Sequence, residues 1–358
     1  MILNNTWYVA AWDTELRTDN LLARRILGTA VLLFRGDDGR VAALEDRCCH
    51  RLAPLSKGQR EGNCVRCMYH GLVFDAQGRC VEVPGQDRIS DKLRVRSFPT
   101  VERDHLIWIW MGDPALADAA QIHDSSWHNA GAQQWTGSRG GYIHYRAGAQ
   151  LVADNLLDFS HLSFVHSTTI GTRAQASVKP VVERLENAVR ISYVTFNSPI
   201  PPFARALSRL PDQTDRFQFY TWHVKGNFFA QDSVIAPVGE GRDTANPDAV
   251  RLRTMIAVTP ETENTCHYFW SSSRTDFNPD LPDISSQLVT HVSGAFDEDR
   301  EIIEAQQRVI DEDPGQPMVA IPADAALQQV RWMLGKLVAA EAATPARVPS
   351  PTPSSSVA

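Results

Sequence analysis

Short apolar runs separated by turn residues fill the first third of the chain. Four of these runs pair as two hairpins, at 30–35 with 40–44 and at 71–74 with 79–83. Each pair flanks a turn sequence rich in Gly and Asp, which is typical of a β-hairpin. A tryptophan-containing run at 105–111 ends at Gly-Asp-Pro. We therefore expect a small β domain at residues 1–115.

Longer apolar segments and one helical pattern mark the rest of the chain. Strand candidates lie at 189–195, 217–224 and 251–259. From Ile284 to Ile310, apolar residues recur at steps of three and four, which predicts one long amphipathic helix. After a polar connection, these elements predict a second domain at 116–340 in an α+β protein. The tail at 341–358 is rich in Pro, Ser, Thr and Ala and is expected to be disordered.

The composition is that of an ordinary globular protein. Hydrophobic residues make up 43% and charged residues 22% of the 358 residues, and the net charge is -7. The negative charge argues against nucleic acid as a partner. No apolar run approaches the ~20 residues of a membrane span, and the N-terminus lacks the regions of a signal peptide. The six cysteines show no disulfide spacing, so we expect a protein of the reducing cytoplasm.

Two short motifs in the β domain combine cysteine and histidine. Cys48 and His50 form a Cys-x-His half, and Cys67 and His70 form a Cys-x-x-His half. A zinc site usually opens with two cysteines and closes with two histidines, whereas each half here mixes the two residue types. This pattern favours a Rieske [2Fe–2S] cluster, with Cys48 and Cys67 on one iron and His50 and His70 on the other. Zinc is the alternative, and visible absorption distinguishes the two because zinc is colourless.

A second group of candidate ligands lies at 154–166, with the sequence Asp-Asn-Leu-Leu-Asp-Phe-Ser-His-Leu-Ser-Phe-Val-His. In a helix, Asp158 and His161 share one face. His161 and His166 are about 140° apart around a regular helix. They bind one metal only if the helix is distorted or ends between them. Two unrelated histidines on a helix are the alternative.

The long predicted helix offers a carboxylate, Asp299, on its apolar face. The stripe around it comprises Val292, Phe296, Ile303, Gln306 and Ile310. The opposite, solvated side carries Asp297, Arg300, Glu301, Glu304 and Arg308. A carboxylate among apolar residues needs a partner or a metal, and a core salt bridge is the alternative.

Two histidines and one carboxylate form the facial triad of non-haem Fe(II) oxygenases, which leaves positions open for oxygen. We therefore predict that His161, His166 and Asp299 bind a mononuclear iron. Glu298 or Asp297 is the fallback carboxylate.

These motifs together resemble the oxygenase components of Rieske-type non-haem iron oxygenases. The matching pieces are Cys-x-His-Arg-x-Ala-Pro-Leu at 48–55, Cys-x-x-His-Gly-Leu at 67–72, Asp-x3-Asp-x2-His-x4-His at 154–166 and Glu-Asp at 298–299. The chain looks most similar to the group that includes vanillate O-demethylase, dicamba O-demethylase and toluenesulfonate methyl-monooxygenase. It departs from many members in having Cys49 and Met68 where they have proline.

The resemblance implies a Rieske domain, a helix-grip-like catalytic domain with an antiparallel sheet and helices, and a ring-shaped homotrimer. It also implies that Asp158 links the two metal centres between subunits. There Asp158 would accept one hydrogen bond from His161 and another from His70 of a neighbouring subunit. The residue type alone also allows Asp158 to be a local helix cap.

The predicted function is hydroxylation of a methyl or methoxy carbon on an aromatic acid, with O2 as co-substrate. The chain has no Gly-x-Gly-x-x-Gly after a strand, so a separate NADH-dependent reductase with flavin and an iron-sulfur cluster is expected to supply the electrons. A ring cis-dihydroxylating dioxygenase is the nearest alternative. A non-catalytic electron carrier and a zinc-stabilised binding protein are alternatives of another class.

Several residues of the second domain are candidates for binding an aromatic acid. The aromatic side chains that suit a flat apolar ring are Phe159, Phe164, Phe228, Phe229 and Trp270. The acid group needs a positive or hydrogen-bonding partner, for which the candidates are His223, Arg253, His267 and Arg274.

Overall fold

The N-terminal part of the chain consists of three small antiparallel sheets. A computed structural model describes residues 1–126 and 135–343, apart from the side chains of Ser138 and Arg139. The N-terminal strands are β1 (Trp7–Trp12), β2 (Leu21–Ile26), β3 (Thr29–Arg35), β4 (Val41–Glu45), β5 (Gln59–Glu61), β6 (Cys64–Arg66), β7 (Val73–Asp75), β8 (Cys80–Glu82), β9 (Ser97–Phe98), β10 (Thr100–Arg103) and β11 (Leu106–Trp110). Their orders are β1-β11-β10, β2-β3-β4-β9 and β5-β6-β7-β8.

Both predicted hairpins are confirmed, as the pairs β3–β4 and β7–β8. In the second turn, Gly78 has a φ of 76°, and a Cβ atom there would lie 2.2 Å from the carbonyl oxygen of Val95. Only glycine fits such a position. The predicted strand at 105–111 is β11, in which Trp108 and Trp110 are buried.

The C-terminal part is one seven-stranded antiparallel sheet with helices. Its elements are β12 (Thr136–Tyr145), α1 (Ala149–Leu157), β13 (Val181–Arg184), β14 (Ala188–Pro199), α2 (Pro202–Leu207), β15 (Gln213–His223), β16 (Phe228–Pro237), β17 (Val250–Pro260), β18 (Cys266–Arg274), α3 (Ile284–Glu312) and α4 (Ala325–Ala343). The strand order is β12-β18-β17-β16-β15-β14-β13. Short 3-10 helices lie at Asp13–Glu15, Leu55–Lys57, Pro114–Leu116, Ala119–Gln121, Phe159–Ser163, Arg173–Ser177, Lys225–Asn227 and Pro322–Asp324.

The large sheet is buried on both faces. On one face, Phe228, Met255 and Phe269 join a core cluster with Trp7 and Trp108 of the N-terminal sheets. On the other face, the next residue of each strand points toward the helices, as Phe229, Ile256 and Trp270 do in a core cluster that contains α1, α3 and α4 side chains. Side chains alternate between the faces of a strand, so one sheet separates the N-terminal domain from the helical layer.

The boundaries of the predicted elements agree closely with the structure, while the domain boundary at 115/116 stays a prediction. The strands predicted at 189–195, 217–224 and 251–259 are β14, β15 and β17, and the long helix is α3. α4 continues to Ala343, beyond the predicted domain end at 340. The rest of the predicted tail, 344–358, lies outside the described residues. Among the described residues, no helix is both long and apolar enough to span a bilayer.

α3 places Asp299 as predicted but corrects one member of the apolar stripe. Phe296, Asp299 and Ile303 are buried. Gln306 is exposed, and Gln307 is buried in its place. At 3.6 residues per turn, the buried line continues from Ile303 by a step of four. Gln307 is held there because its Oε1 accepts a hydrogen bond from the Gly148 N–H at 3.0 Å.

Candidate metal centres

Two loops with the same backbone pattern carry the cysteine and histidine pairs of the N-terminal domain. In each loop, the cysteine N–H donates to the carbonyl five residues later at 2.8 Å, and the N–H four residues later donates back to the cysteine carbonyl at 2.9 Å. That fourth residue has a positive φ in both loops, 59° at Leu52 and 75° at Gly71. The loops therefore present Cys48 with His50 and Cys67 with His70 in equivalent ways.

The thiols of this centre lie inside and the imidazoles lie at the surface. Cys48 and Cys67 are 2% and 1% exposed, whereas His50 and His70 are exposed, with ring centroids 4.5 Å apart. Burial raises the pKa of the Cys48 thiol to about 11, so binding of a cation is needed to hold the thiolate near neutral pH. Two inner sulfur donors and two outer nitrogen donors fit a cluster whose two irons have different ligands.

The second centre forms where α1 ends. Asp158 follows the last residue of α1 and begins the 3-10 helix Phe159–Ser163, and His166 lies in the turns that follow. The 3-10 helix that carries His161 ends at Ser163, before His166, which is the condition that convergence of the two histidines requires. The alternative of two unrelated histidines on a regular helix is wrong.

His161, His166 and Asp299 converge on one point. One ligand atom from each lies within 4.8 Å of the others. Asp299 Oδ1 is 3.0 Å from His166 Nε2 and 3.4 Å from His161 Nε2. Asn155 Nδ2 donates to the same Oδ1 at 3.0 Å. Two imidazole nitrogens and one carboxylate around a shared space are a suitable donor set for a mononuclear iron.

The other ring nitrogens of both histidines have partners that fix the rings. His166 Nδ1 is 2.7 Å from Glu298 Oε2, which also accepts a hydrogen bond from Thr169 Oγ1 at 2.8 Å. His161 Nδ1 has a short hydrogen bond to the Asp158 carbonyl. Such outer partners select the tautomer that turns Nε2 toward a metal. Glu298 thus orients His166 and is not in the ligand position, while Asp297 is exposed and pairs with Arg300 at 2.9 Å.

The carboxylate of Asp158 does not contact His161 as the resemblance implied. It accepts hydrogen bonds from the Ser160 N–H at 2.8 Å and from Ser160 Oγ at 3.0 Å. This is the geometry of an N-cap residue, whose side chain satisfies a free N–H at the start of a helix. Within one chain, the Asp158 backbone carbonyl is therefore the partner of His161, and the carboxylate is the cap.

Charges within the triad favour a cation. Burial acts to raise the pKa of Asp299, but hydrogen bonds from His161 and His166 outweigh it and lower the pKa to about 2. Burial acts to lower the pKa of His166, but Asp299 and Glu298 outweigh it and raise that pKa. Two buried or half-buried carboxylates beside two imidazoles therefore form an electronegative site.

Gly171 closes the loop behind His166. Its N–H donates to the His166 carbonyl at 2.9 Å, and a Cβ atom at this position would lie 1.8 Å from the Leu162 carbonyl oxygen. Because that neighbour is backbone, the loop can pass beneath the triad only with glycine here.

A cavity of about 740 Å³, its mouth included, opens from the triad along the helix-facing side of the sheet. Its walls are mainly apolar, and Phe159 stacks on Tyr220 with ring centroids 3.8 Å apart and an angle of 12°. A polar group of side chains completes the lining, namely Arg216, Gln218, Gln231, Ser233 and Thr254. A mainly apolar lining with a few polar groups is typical of a small-molecule site.

The predicted aromatic contacts are partly confirmed. Phe159 and Phe229 line the cavity. Phe228 lies on the opposite face of the sheet against Trp108, with ring centroids 5.9 Å apart. Phe164 is 75% exposed. Trp270 packs on Phe296, a cavity residue, at 4.9 Å and does not itself line the cavity.

None of the four polar candidates for the acid group lines the cavity. Arg253 and His223 lie on the other face of the sheet. The Arg253 guanidinium carbon is 4.1 Å from the centroid of the Trp135 ring, and the ring centroids of His223 and His123 are 4.1 Å apart. His267 is bound by Tyr142 Oη at 2.8 Å and lies near the N-terminal domain. Arg274 donates to Ser285 Oγ at 3.1 Å. The arginine that lines the cavity is Arg216, whose signal was the spacing of polar residues at 216 and 218 in a buried strand.

Comparisons with known proteins agree with both centres. Residues 6–99 match the Rieske [2Fe-2S] domain, and residues 145–340 match the vanillate O-demethylase oxygenase C-terminal domain. The iron-sulfur subunit of the toluene-4-sulfonate monooxygenase system of Comamonas testosteroni is 44% identical over 346 residues, covering 95% of this chain and 98% of that relative.

Two further relatives extend the agreement to the structure. The oxygenase subunit of vanillate O-demethylase from a Pseudomonas species is 34% identical over 350 residues, covering 95% of this chain and 96% of its own. The crystal structure of dicamba monooxygenase bound to 3,6-dichlorosalicylic acid superposes with a TM-score of 0.86 at 35% identity, covering 96% of this chain and 99% of that one. The chain therefore belongs to the Rieske-type non-haem iron oxygenases, in the family with a vanillate O-demethylase-type C-terminal domain.

Proposed function

We propose that this chain is the terminal oxygenase component of a system that hydroxylates a methyl or methoxy carbon of an aromatic acid. The observation that carries the proposal is the apolar cavity that opens directly on His161, His166 and Asp299. Its aromatic and aliphatic walls suit a flat apolar ring, and the triad residues are part of the same lining. The relatives' names include a sulfonate monooxygenase and two O-demethylases of aromatic acids, which is the same class of reaction.

The proposed ligands are those predicted from the sequence. Cys48, His50, Cys67 and His70 hold the [2Fe–2S] cluster, and His161, His166 and Asp299 hold the iron. When bound, the two centres supply the redox chemistry, in which electrons pass from the cluster to the iron and O2 is activated there.

The overall reaction balances with one two-electron donor. A methyl arene, O2, two electrons and two protons give a hydroxymethyl arene and water. A methoxy arene gives the corresponding hydroxymethyl ether, which breaks down to a phenol and formaldehyde. The electrons are proposed to come from NADH through a separate reductase.

The chain's own residues hold and shield this site. Asn155 holds the Asp299 carboxylate, and Glu298 fixes the ring of His166. Leu156, Phe159 and Ile256 are nearly or fully buried around the cavity and exclude water from the bound ring. A dry site strengthens each polar contact made inside it.

We also propose the homotrimer, with Asp158 as a link between subunits. Two different apolar surface groups support a head-to-tail contact between copies of the chain. Leu52, Met68 and Tyr69, beside the cluster histidines, are 63%, 61% and 59% exposed. Phe164 and Val319, beside the iron site, are 75% and 87% exposed. Head-to-tail burial of one group on the other closes a ring.

The trimer proposal is tested with Asp158→Asn. The amide oxygen of the new side chain can still accept the hydrogen bond from the Ser160 N–H. We therefore expect normal content of both metals, an unchanged trimer by light scattering and very slow turnover. A fully active wild-type monomer in solution, or an Asp158→Asn enzyme with normal turnover, would overturn the proposal.

The proposed location is the reducing cytoplasm. All six cysteines are free thiols in the structure, and two of them belong to the proposed cluster. A mass count of free thiols in protein purified from its native cell tests this, since disulfides would contradict it.

Turnover of metal-replete protein with a compatible reductase tests the function. We expect NADH oxidation with 4-toluenesulfonate or 4-methoxybenzoate, matched by hydroxymethyl product or formaldehyde. With isotopically labelled O2, one labelled atom enters the organic product. Two labelled atoms in a ring cis-diol would identify a dioxygenase instead, and NADH oxidation without organic product would refute the proposal.

A further inference from the structure

Arg216 is a buried cation without an anion. Its side chain lines the cavity and the residue is 6% exposed. One guanidinium nitrogen, Nη1, donates to the Ile170 carbonyl at 3.0 Å, while Nε has no hydrogen-bond partner among the described residues. No carboxylate in the described part of the chain lies within ion-pair distance of Arg216. Asp215, its neighbour in sequence, is on the other side of the strand and accepts from the N–H groups of Asn197 and Gly239.

Such an arrangement is costly in the free protein. A guanidinium stays protonated under all ordinary conditions, and a buried charge needs a partner to offset its desolvation. One hydrogen bond to a backbone carbonyl offsets only a small part of this desolvation free energy. An anionic group that enters the cavity with its ligand would supply the missing partner.

Polarity changes in an ordered way across the cavity wall. The wall is formed by alternate residues of β15, β16 and β17, whose register places them in rows. The row nearest the end of β15 is apolar, and Phe229 and Ile256 are the members of it that line the cavity. Rows lie about 7 Å apart along the strands, at two residues per step.

The following rows bring in hydrogen-bonding groups. The second row comprises Tyr220, Gln231 and Thr254, and the third comprises Gln218, Ser233 and the apolar Leu252. In the fourth row Arg216 is beside the apolar Ile235 and Val250. The Phe159 ring stacks on Tyr220, in the second row, and Phe159 is two residues from His161. Arg216 therefore lies two rows, about 14 Å, along the strand from the row under Phe159.

We infer that Arg216 binds the anionic oxyacid head group of the aromatic substrate, a sulfonate or carboxylate, and thereby selects anionic over neutral arenes. This rests on the proposed function, since it assigns a substrate class to the same cavity. The free Nε–H of Arg216 and the hydroxyl of Ser233, which lies one row away on the adjacent strand, offer donors for such a head group. Arginine suits this role because its planar donors match the oxygens of an oxyacid.

A purely structural role for Arg216 makes different predictions. Ile170 adjoins Gly171, whose N–H binds the His166 carbonyl, so Arg216 could serve only to hold the loop behind the iron ligand. Loss of a structural brace would lower stability and affect all ligands alike. Loss of an anion-binding group affects anionic ligands alone.

Equilibrium binding to the holoenzyme separates the two roles without any turnover. The probes are benzenesulfonate, benzoate and the neutral benzenesulfonamide, none of which carries a methyl or methoxy group. We expect Arg216→Gln to weaken binding of the preferred anion by roughly 30-fold or more, because a charge-assisted contact is lost. Binding of benzenesulfonamide should change by less than about threefold in the same variant, as expected when only charge recognition is removed.

Arg253→Gln is the matched control. Arg253 lies on β17 of the same sheet, on the face away from the cavity, and its replacement should leave all three affinities unchanged. The two anions also distinguish the head groups, since the tighter of them identifies the preferred geometry. Equal loss of anionic and neutral probes in Arg216→Gln, or no preference of the wild-type enzyme for an anion, would overturn the inference.

Thermal unfolding of the ligand-free protein gives an independent reading. Because Arg216 lacks an anion there, Arg216→Gln should have the same or a higher Tm than the wild-type protein. If Arg216→Gln fails to fold, Arg216→Lys is the second variant. Lysine keeps the positive charge but lacks the planar set of guanidinium donors, so this variant should fold and bind the anion with an affinity reduced about tenfold. Failure of both variants to fold would show a structural brace and overturn the inference.

The outcomes remain separable from those of the proposed function. Anion binding that depends on Arg216, combined with absence of any hydroxylated product, would refute the proposed reaction and leave the binding site standing. Hydroxylated product from the wild-type enzyme, combined with normal anion affinities in Arg216→Gln, would support the proposed reaction and refute the role of Arg216.

Discussion

Replacement of Glu298 tests whether it orients His166 or binds iron itself. Glu298 Oε2 holds His166 Nδ1 at 2.7 Å and is held in turn by Thr169 at 2.8 Å. Loss of an orienting partner typically weakens metal binding by about 10–100-fold. That agrees with ~1.5–3 kcal/mol for a hydrogen bond to a charged group. We therefore expect Glu298→Ala to weaken iron binding by about 10–100-fold.

Companion variants place this effect on a scale. In Glu298→Gln an amide oxygen can still accept from Nδ1, so the loss should be about tenfold or less. Asp299→Ala removes a proposed ligand and should leave no stoichiometric iron. Glu301→Gln, on the exposed side of the same helix, is the control and should bind iron normally.

Competition with a coloured ferrous chelator measures iron affinity in each variant. The visible spectrum of the cluster serves as an internal check of folding, because it should be unchanged in all four variants. Wild-type affinity in Glu298→Ala would refute the orienting role. A loss as complete as in Asp299→Ala would mean that Glu298 is itself a ligand.

Three other predictions follow from residues outside this pair. Cys67→Ser should bleach the visible spectrum and stop turnover, since a hydroxyl is a poor ligand for the cluster iron; a normal Rieske EPR signal would contradict the assignment. Gly171→Ala forces a methyl group against the Leu162 carbonyl, so iron content should fall while cluster absorption persists, and full iron would show that the loop can shift. Burial, assisted by His123, lowers the pKa of His223 to about 4. His223 is therefore protonated in the unfolded chain below about pH 6.5 but stays neutral in the folded chain. As the pH falls from about 7 to about 5, this difference lowers the free energy of unfolding by at most ~2 kcal/mol. Urea unfolding of His223→Leu should show a smaller loss over that range, and an unchanged pH dependence would refute this.

Local patterns predicted the elements of the fold well, and they predicted that His161, His166 and Asp299 lie together. Strand-length runs, turn glycines and the helical stripe around Asp299 are short-range signals, and the structure has each of them. The Cys–His pairs could be recognised in the sequence because each pair lies within one short loop. The end of the 3-10 helix at Ser163, between His161 and His166, was required by the spacing of the two histidines.

Features set by the pairing of distant strands could not be predicted. Which face of β15 meets the cavity depends on the register with β16 and β17, so Arg216 was missed while Arg253 was chosen. The role of Glu298 depends on where Thr169 and His166 lie relative to α3. The Asp158 carboxylate accepts hydrogen bonds from Ser160 in place of the implied bond from His161. Both contacts are compatible with the local sequence, so the sequence does not distinguish them.

Alternation within the central sheet has a consequence for how this enzyme can change over evolution. In β16, Phe228 belongs to the contact with the N-terminal domain and Phe229 to the substrate cavity. Point substitutions can therefore retune the cavity at every second position while the residues between them keep the two domains together. An insertion or deletion of one residue within these strands would exchange the two sets of side chains. We expect new substrate preferences in this lineage to arise by substitution within the strands, and length variation to be confined to the connecting loops.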